Sequence, residues 1–161
     1  MATRMAAANA GAGASGSAGA ADRGVKALED SKAEAAQPDV TIQLSVVRAQ
    51  LKFDKSEMTV NARQLVQLVF SNTDEMPHNF VLGASGALQQ IGAAADAMGG
   101  PDGLAMQYVP PVAQVLFATT LVDPGGTVTV QFRAPSQPGD YPFVCTFPGH
   151  WRVMNGILRV R

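Results

Sequence analysis

One cysteine among 161 residues cannot close a disulfide within the chain, nor can it supply the paired thiolates of a structural zinc site. Imidazole is almost as scarce, with two histidines, and aromatic residues make up 6% of the sequence. No stretch approaches the roughly eighteen consecutive apolar residues of a membrane-spanning helix. Charge of neither sign predominates: 12 Lys and Arg stand against 13 Asp and Glu, a net charge of −1. That balance lacks the basic excess of a nucleic-acid-binding surface, so no nucleic-acid partner is expected. No internal repeat is visible.

What is present divides near Pro38. Residues 6 to 21 are Ala, Gly and Ser except for Asn9, and the stretch to Pro38 adds four acidic and three basic residues without an aromatic. Residues 1–37 therefore read as a flexible Ala/Gly/Ser-rich tail or linker. Secretory signals need an uninterrupted apolar segment after a basic start, and Asn9 and the glycines interrupt this one. The expectation is the tether of an exported, periplasmic or extracytoplasmic protein whose leader or membrane anchor is missing from this sequence. Residues 38–161 form the second part, long enough for one core.

That second part reads as strands. Val40 to Val46 and Thr127 to Arg133 alternate apolar and polar residues, the period of half-buried strands, while Leu65 to Phe70 is nearly continuous and suits a strand covered on both faces. Leu51 to Asp54, Asn79 to Gly83, Gly139 to Val144 and Gly156 to Val160 are further strands. Turn chemistry at Asn72-Thr73-Asp74, Asp123-Pro124-Gly125-Gly126 and Gln137-Pro138-Gly139-Asp140 separates them. The pattern predicts an all-β, two-sheet antiparallel sandwich. One interval differs: Ala87 to Met98 suits about three turns of helix, stopped by Gly99-Gly100-Pro101.

The scarce residues are not scattered. Cys145, His150 and Met154 fall within one segment, Cys145-Thr146-Phe147-Pro148-Gly149-His150-Trp151-Arg152-Val153-Met154, at a spacing that lets one inter-strand loop carry all three. The other histidine, His78, lies in Met76-Pro77-His78-Asn79-Phe80. Thiolate and thioether suit Cu(I) and imidazole suits Cu(II), so a set of one thiolate, two imidazoles and a weak axial thioether serves both oxidation states with little rearrangement. This is the donor set of a blue-copper electron-transfer centre.

These two segments resemble the ligand loops of cupredoxins, and within them azurins and the azurin-like auracyanins, over Val40 to Arg161. The resemblance implies a cupredoxin-like Greek-key β-sandwich in which the helical interval is a short flap insertion. It implies one type 1 copper ion with His78, Cys145 and His150 as equatorial ligands and Met154 as the axial one. Asn79 would brace the loops and direct its backbone N–H at the Cys145 sulfur, with the Phe147 N–H as a second donor, whereas Pro148 has no N–H to offer. Azurins carry a glycine before the first ligand histidine, where this chain has Pro77, as in plastocyanin-like sites. They also carry a disulfide that one cysteine cannot make. Electrons would leave through His150 and an apolar patch of Met76, Pro77, Phe147, Pro148, Trp151 and Val153.

The function expected is therefore a non-enzymatic single-electron shuttle, a monomer meeting redox proteins such as cytochrome c-like or copper and haem oxidoreductases. Alternatives are an electron-entry module of a larger exported oxidoreductase and a copper carrier with exchangeable ligands. A Cys–His nucleophile pair would leave Met154 without a role. A second catalytic copper has no histidine left to bind it.

Overall fold

A computed structural model describes residues 36–161. Most of the tail expected over residues 1–37 thus lies outside the described residues. Among the described residues nine strands form two sheets: β1 (Val40–Val47), β2 (Lys52–Phe53), β3 (Glu57–Val60), β4 (Leu65–Ser71), β5 (Val81–Gly83), β6 (Val115–Ala118), β7 (Thr127–Arg133), β8 (Gly139–Val144) and β9 (Asn155–Val160). One sheet has the order β2-β1-β4-β7 and the other β3-β9-β8-β5-β6.

The sheets are mixed, a correction to the antiparallel expectation. β1 runs parallel to β4, with Val40 opposite Val66 and Leu44 opposite Phe70, and β3 runs parallel to β9. Local alternation identifies a strand and its buried face but carries no information on the direction of its neighbour, so this feature was not readable from the pattern. Strands β3 and β6 also escaped the sequence reading. Both are four residues long, too short for their periodicity to stand out.

The few aromatics are concentrated where the sheets meet. Phe53 packs edge-on against Phe143 at 5.2 Å, Phe80 stacks on Phe143 at 5.6 Å, and Phe117 stacks on Phe132 at 4.9 Å. Phe70, Phe80 and Phe143 are completely buried, and each such side chain contributes about 1.5–3 kcal/mol of burial free energy. Strand β8 crosses this core and ends at Val144, which delivers Cys145 into the interior at one end of the sandwich.

The helical interval consists of two helices. α1 (Leu88–Asp96) buries Ile91, Gly92 and Ala95, one face at helical spacing. The Gly99-Gly100-Pro101 stop separates it from a second helix, α2 (Gly100–Ala105), with Pro101 and Asp102 in its first turn. Proline is compatible with that position because the N–H it lacks has no partner inside the helix, and Asp102 complements the positive helix terminus. The same residues that end one helix therefore begin the next.

Candidate metal centre

Three segments converge at the end of the sandwich. His78 lies between β4 and β5, where it forms an isolated bridge with Val122: His78 N–H donates to the Val122 carbonyl at 3.2 Å and Val122 N–H returns the bond at 2.8 Å. Cys145 follows β8 directly. His150 sits on the loop from β8 to β9, which is wound tightly by bonds from His150 N–H to Phe147 O at 3.0 Å and from Met154 N–H to His150 O at 2.8 Å. Gly149 allows this winding with φ of +82°, a conformation that costs other residues about 1 kcal/mol or more. The loop closes where Cys145 N–H donates to the Met154 carbonyl at 3.0 Å.

The side chains meet with their donor atoms facing inward. Nδ1 of His78 and Nδ1 of His150 each lie 3.7 Å from Cys145 Sγ, and one ligand atom from each of the three residues lies within 4.8 Å of the others. The imidazole rings are tilted 38° to one another at 5.0 Å. His78, Cys145 and Met154 are 0% exposed and His150 4%. Two imidazole nitrogens and a thiol sulfur turned toward a common point, beside a buried thioether residue, fit a copper ion by the softness of the set.

Electrostatics shows what it costs to hold these groups without charge compensation. Burial pushes the Cys145 thiol up to about 11, and the backbone N–H groups of Asn79 and Phe147, both directed at the sulfur, oppose the rise. His150 is lowered to about 4, first by burial and then by the charge of His78, with Asp74 pulling the other way. At neutral pH the copper-free pocket therefore holds a thiol and an unprotonated His150, and metal binding must release the thiol proton.

The bracing residues tie the two ligand segments together. Asn79 Oδ1 accepts from the Thr146 N–H at 2.8 Å, and Asn79 Nδ2 donates to Thr146 Oγ1 and to the Gln107 carbonyl, both at 3.0 Å. Its amide thus spans the His78 segment, the residue after Cys145 and the end of the helical insertion. Gln107 and Tyr108 are held at φ of 56° and 53°. The side chain of Gln107 accepts from Leu121 N–H at 2.9 Å, and Tyr108 meets Phe147 edge-on at 5.3 Å.

Trp151 is not where the apolar-patch expectation put it. It is 7% exposed and belongs to a second core cluster with Val81, Ala87, Ile91 and Val144. Its ring lies so close to α1 that a Cβ on Gly92 would come within 2.2 Å of it. The indole Nε1 donates to Asp96 Oδ1 at 3.0 Å, and Arg152 pairs with Asp96 at 2.7 Å while its guanidinium lies 4.6 Å from the indole centroid. A tryptophan beside a ligand reads as surface in a loop string, but the insertion folds back to cover it. Of the other patch residues, Pro148 is exposed, Met76 is 40% exposed and Val153 61%, while Pro77 and Phe147 are half-buried.

Sequence reasoning missed Asp74. It was read only as part of a turn, yet its carboxylate lies 2.9 Å from His78 Nε2 and is 7% exposed. Gln107, Thr146 and Asp96 were missed as well. The one available signal was a carboxylate four residues before a ligand histidine, and nothing in local spacing shows that the intervening turn folds it back.

Comparison with known proteins agrees with this geometry. The family model for copper binding proteins, plastocyanin/azurin family, matches residues 40–161. Auracyanin-A of Chloroflexus aurantiacus is 36% identical over 124 residues, covering 75% of this chain and 74% of that protein. Auracyanin-B of the same organism is 32% identical, with 76% of this chain covered, and the chain spans 53% of its length. The crystal structure of dithionite-reduced auracyanin from the photosynthetic bacterium Roseiflexus castenholzii matches with a TM-score of 0.67 at 31% identity, over 78% of this chain and 99% of that one.

Proposed function

The chain belongs to the plastocyanin/azurin family of copper-binding proteins, and from that premise we propose how its residues divide the work of a type 1 copper electron-transfer protein. His78, Cys145 and His150 would hold the single copper ion, and the buried Met154 would supply a weak thioether donor to complete the set. The observation that carries this assignment is the buried meeting of His78 Nδ1, His150 Nδ1 and Cys145 Sγ within 4.8 Å. The ion supplies a one-electron couple when bound. The protein's own part is to keep these donors in one arrangement suited to both oxidation states, because a ligand that must move slows the electron.

Rigidity comes from β8, the Val122 bridge and the Asn79 clamp. The Asn79 and Phe147 N–H groups draw electron density from the sulfur and so favour the reduced state. Water is kept out by burial of all four side chains. That burial also speaks against delivery of copper as a carrier, which needs exposed, exchangeable ligands, and against a nucleophilic thiol, which needs a substrate path.

Electrons exchange through His150, the most exposed of the four. Exposed Pro148 and Val153 on its loop, with exposed Met76 two residues before His78, offer an apolar surface for brief docking with redox proteins, work expected outside the cytoplasm. Among the described residues no helix is long and apolar enough to cross a membrane.

Titration of the copper-free protein with Cu(II) tests the assignment. An intense visible band from thiolate-to-copper charge transfer is expected, and it disappears in Cys145→Ser. A folded sample that stays colourless with its thiol free overturns the reading. Val153→Arg is expected to keep the band and to slow electron exchange with a soluble cytochrome in stopped flow. Unchanged rates would move the docking surface elsewhere.

A further inference from the structure

Asp74 is a carboxylate without an obvious reason to be buried. It lies in the loop after β4, is 7% exposed, and sits behind His78 on the side away from Cys145. Burying a charge is costly unless hydrogen bonds compensate, and here they do. Oδ1 accepts from the Ala49 N–H at 3.0 Å, Oδ2 lies 2.9 Å from His78 Nε2, and its own N–H donates to Asn72 Oδ1 at 3.0 Å. Asn72 is in turn anchored by donating through Nδ2 to the carbonyls of Met76 at 2.7 Å and Val122 at 2.8 Å. Ala49 stands in the turn between β1 and β2 with φ of 59°, a conformation that alanine adopts only at a cost. Three separate segments thus combine to hold one carboxylate against one imidazole.

We propose that Asp74 is a positioning residue for the copper centre: its carboxylate accepts a hydrogen bond from the Nε2–H of His78, fixes the tautomer whose free Nδ1 faces Cys145, and makes that imidazole a stronger donor that favours Cu(II). A ring has one proton to place when neutral. An anionic acceptor 2.9 Å from Nε2 puts it there, so Nδ1 carries the lone pair before any metal arrives. The negative charge then polarises the ring and stabilises the more highly charged metal state. This opposes the Asn79 and Phe147 N–H groups, which act on sulfur in the other direction. Among the described residues no carboxylate is hydrogen-bonded to His150: Asp96 of α1, which meets the ligand loop, is engaged by Trp151 and Arg152.

The inference rests on His78 being a copper ligand, and the experiment separates the two claims. In the copper-free wild-type protein, long-range ¹⁵N–¹H correlation spectra are expected to show His78 as one tautomer protonated at Nε2. A ring protonated at Nδ1, or a mixture, overturns the role of Asp74 without any variant. In copper-loaded Asp74→Asn the amide oxygen still accepts from Nε2 but the charge is gone, so the visible band should persist while the redox equilibrium against a fixed mediator shifts about tenfold toward Cu(I), the ratio between a charged and a neutral hydrogen bond. Asp74→Glu, which restores the charge, should return most of that shift. An unchanged equilibrium in Asp74→Asn with a native spectrum overturns the proposal. A His78→Gly variant that keeps the native band would instead overturn the ligand assignment itself.

Discussion

His78 and His150 present the same atom to Cys145 at the same distance, 3.7 Å, yet they are held by unlike means. His78 belongs to the framework: its backbone bridges Val122, its ring is backed by Asp74, and no part of it reaches the surface. His150 belongs to a loop, reaches the surface at 4% exposure, and owes its position to Trp151 packed on α1 behind it. One side of the site is thus fixed by polar bonds between core segments and the other by apolar packing of an insertion. The difference suits the function, since the electron needs a route to the surface on one side and an immobile donor on the other.

Removing each ring should give the largest contrast. His78→Gly and His150→Gly are both expected to lose the intense visible band. Added imidazole should restore it readily in His150→Gly, where exposed Pro148, Gly149 and Val153 flank an opening, and poorly in His78→Gly, whose void would be sealed. Equal rescue, followed by absorption during imidazole titration, would show that the two sides are equally accessible and end the comparison.

The packing side has its own weak point. Trp151→Ala removes a nearly buried indole between the loop and α1 and should cost about 3–5 kcal/mol in urea unfolding. Gly92→Val should cost about 1–3 kcal/mol by overpacking, since even a Cβ there meets the indole at 2.2 Å. Neither change touches the Asp74–His78 contact, so the His78 tautomer in copper-free protein should stay as in wild type. Loss of that tautomer in Trp151→Ala would show that the two halves are not independent.

How much of this could be read beforehand follows from which interactions are local. The ligand loop carries its chemistry in ten consecutive residues, and strands such as Gly139–Val144 carry their own alternation or apolar run, so both were legible. The parallel pairing of β1 with β4, the burial of Trp151 under α1 and the carboxylate behind His78 each depend on a partner elsewhere in the structure. No periodicity encodes such a partner. Asp74 shows this most sharply: a turn-forming Asp and a buried, charge-bearing Asp look alike in the string Asn72-Thr73-Asp74, and only the fold places Ala49 N–H against one of them.

Titration of the copper-free protein distinguishes the burdens the pocket carries. The thiol of Cys145 is raised from 9.0 to about 11, so the unfolded chain loses its proton first, and stability should fall as pH rises from 9 toward 11. His150 is lowered from 6.5 to about 4, so the unfolded chain gains a proton first, and stability should fall as pH drops from 6.5 toward 4. Both contributions are constant between 6.5 and 9. In thermal melts across pH, Cys145→Ala should remove the alkaline decline and leave the acid one. An alkaline decline of wild-type size in that variant would assign the loss to another group.

The smallest effect tests whether charge or packing holds the insertion to the loop. Asp96 accepts from the Trp151 indole at 3.0 Å and pairs with Arg152 at 2.7 Å, and the ion pair is open to solvent, with side chains 36% and 60% exposed. An exposed pair contributes little to stability, whereas burial of the indole it flanks contributes far more. Arg152 holds the Asp96 carboxyl below its usual range, with the indole N–H adding to the effect, yet at this exposure water screens most of the interaction. Asp96→Asn keeps an oxygen for the indole N–H and removes the ion pair. It should therefore change the unfolding free energy far less than Trp151→Ala does, with the difference shrinking further in high salt. A loss as large as that of Trp151→Ala, persisting in high salt, would mean that the loop bearing His150 is fixed by electrostatics after all, and the contrast with His78 would lose its basis.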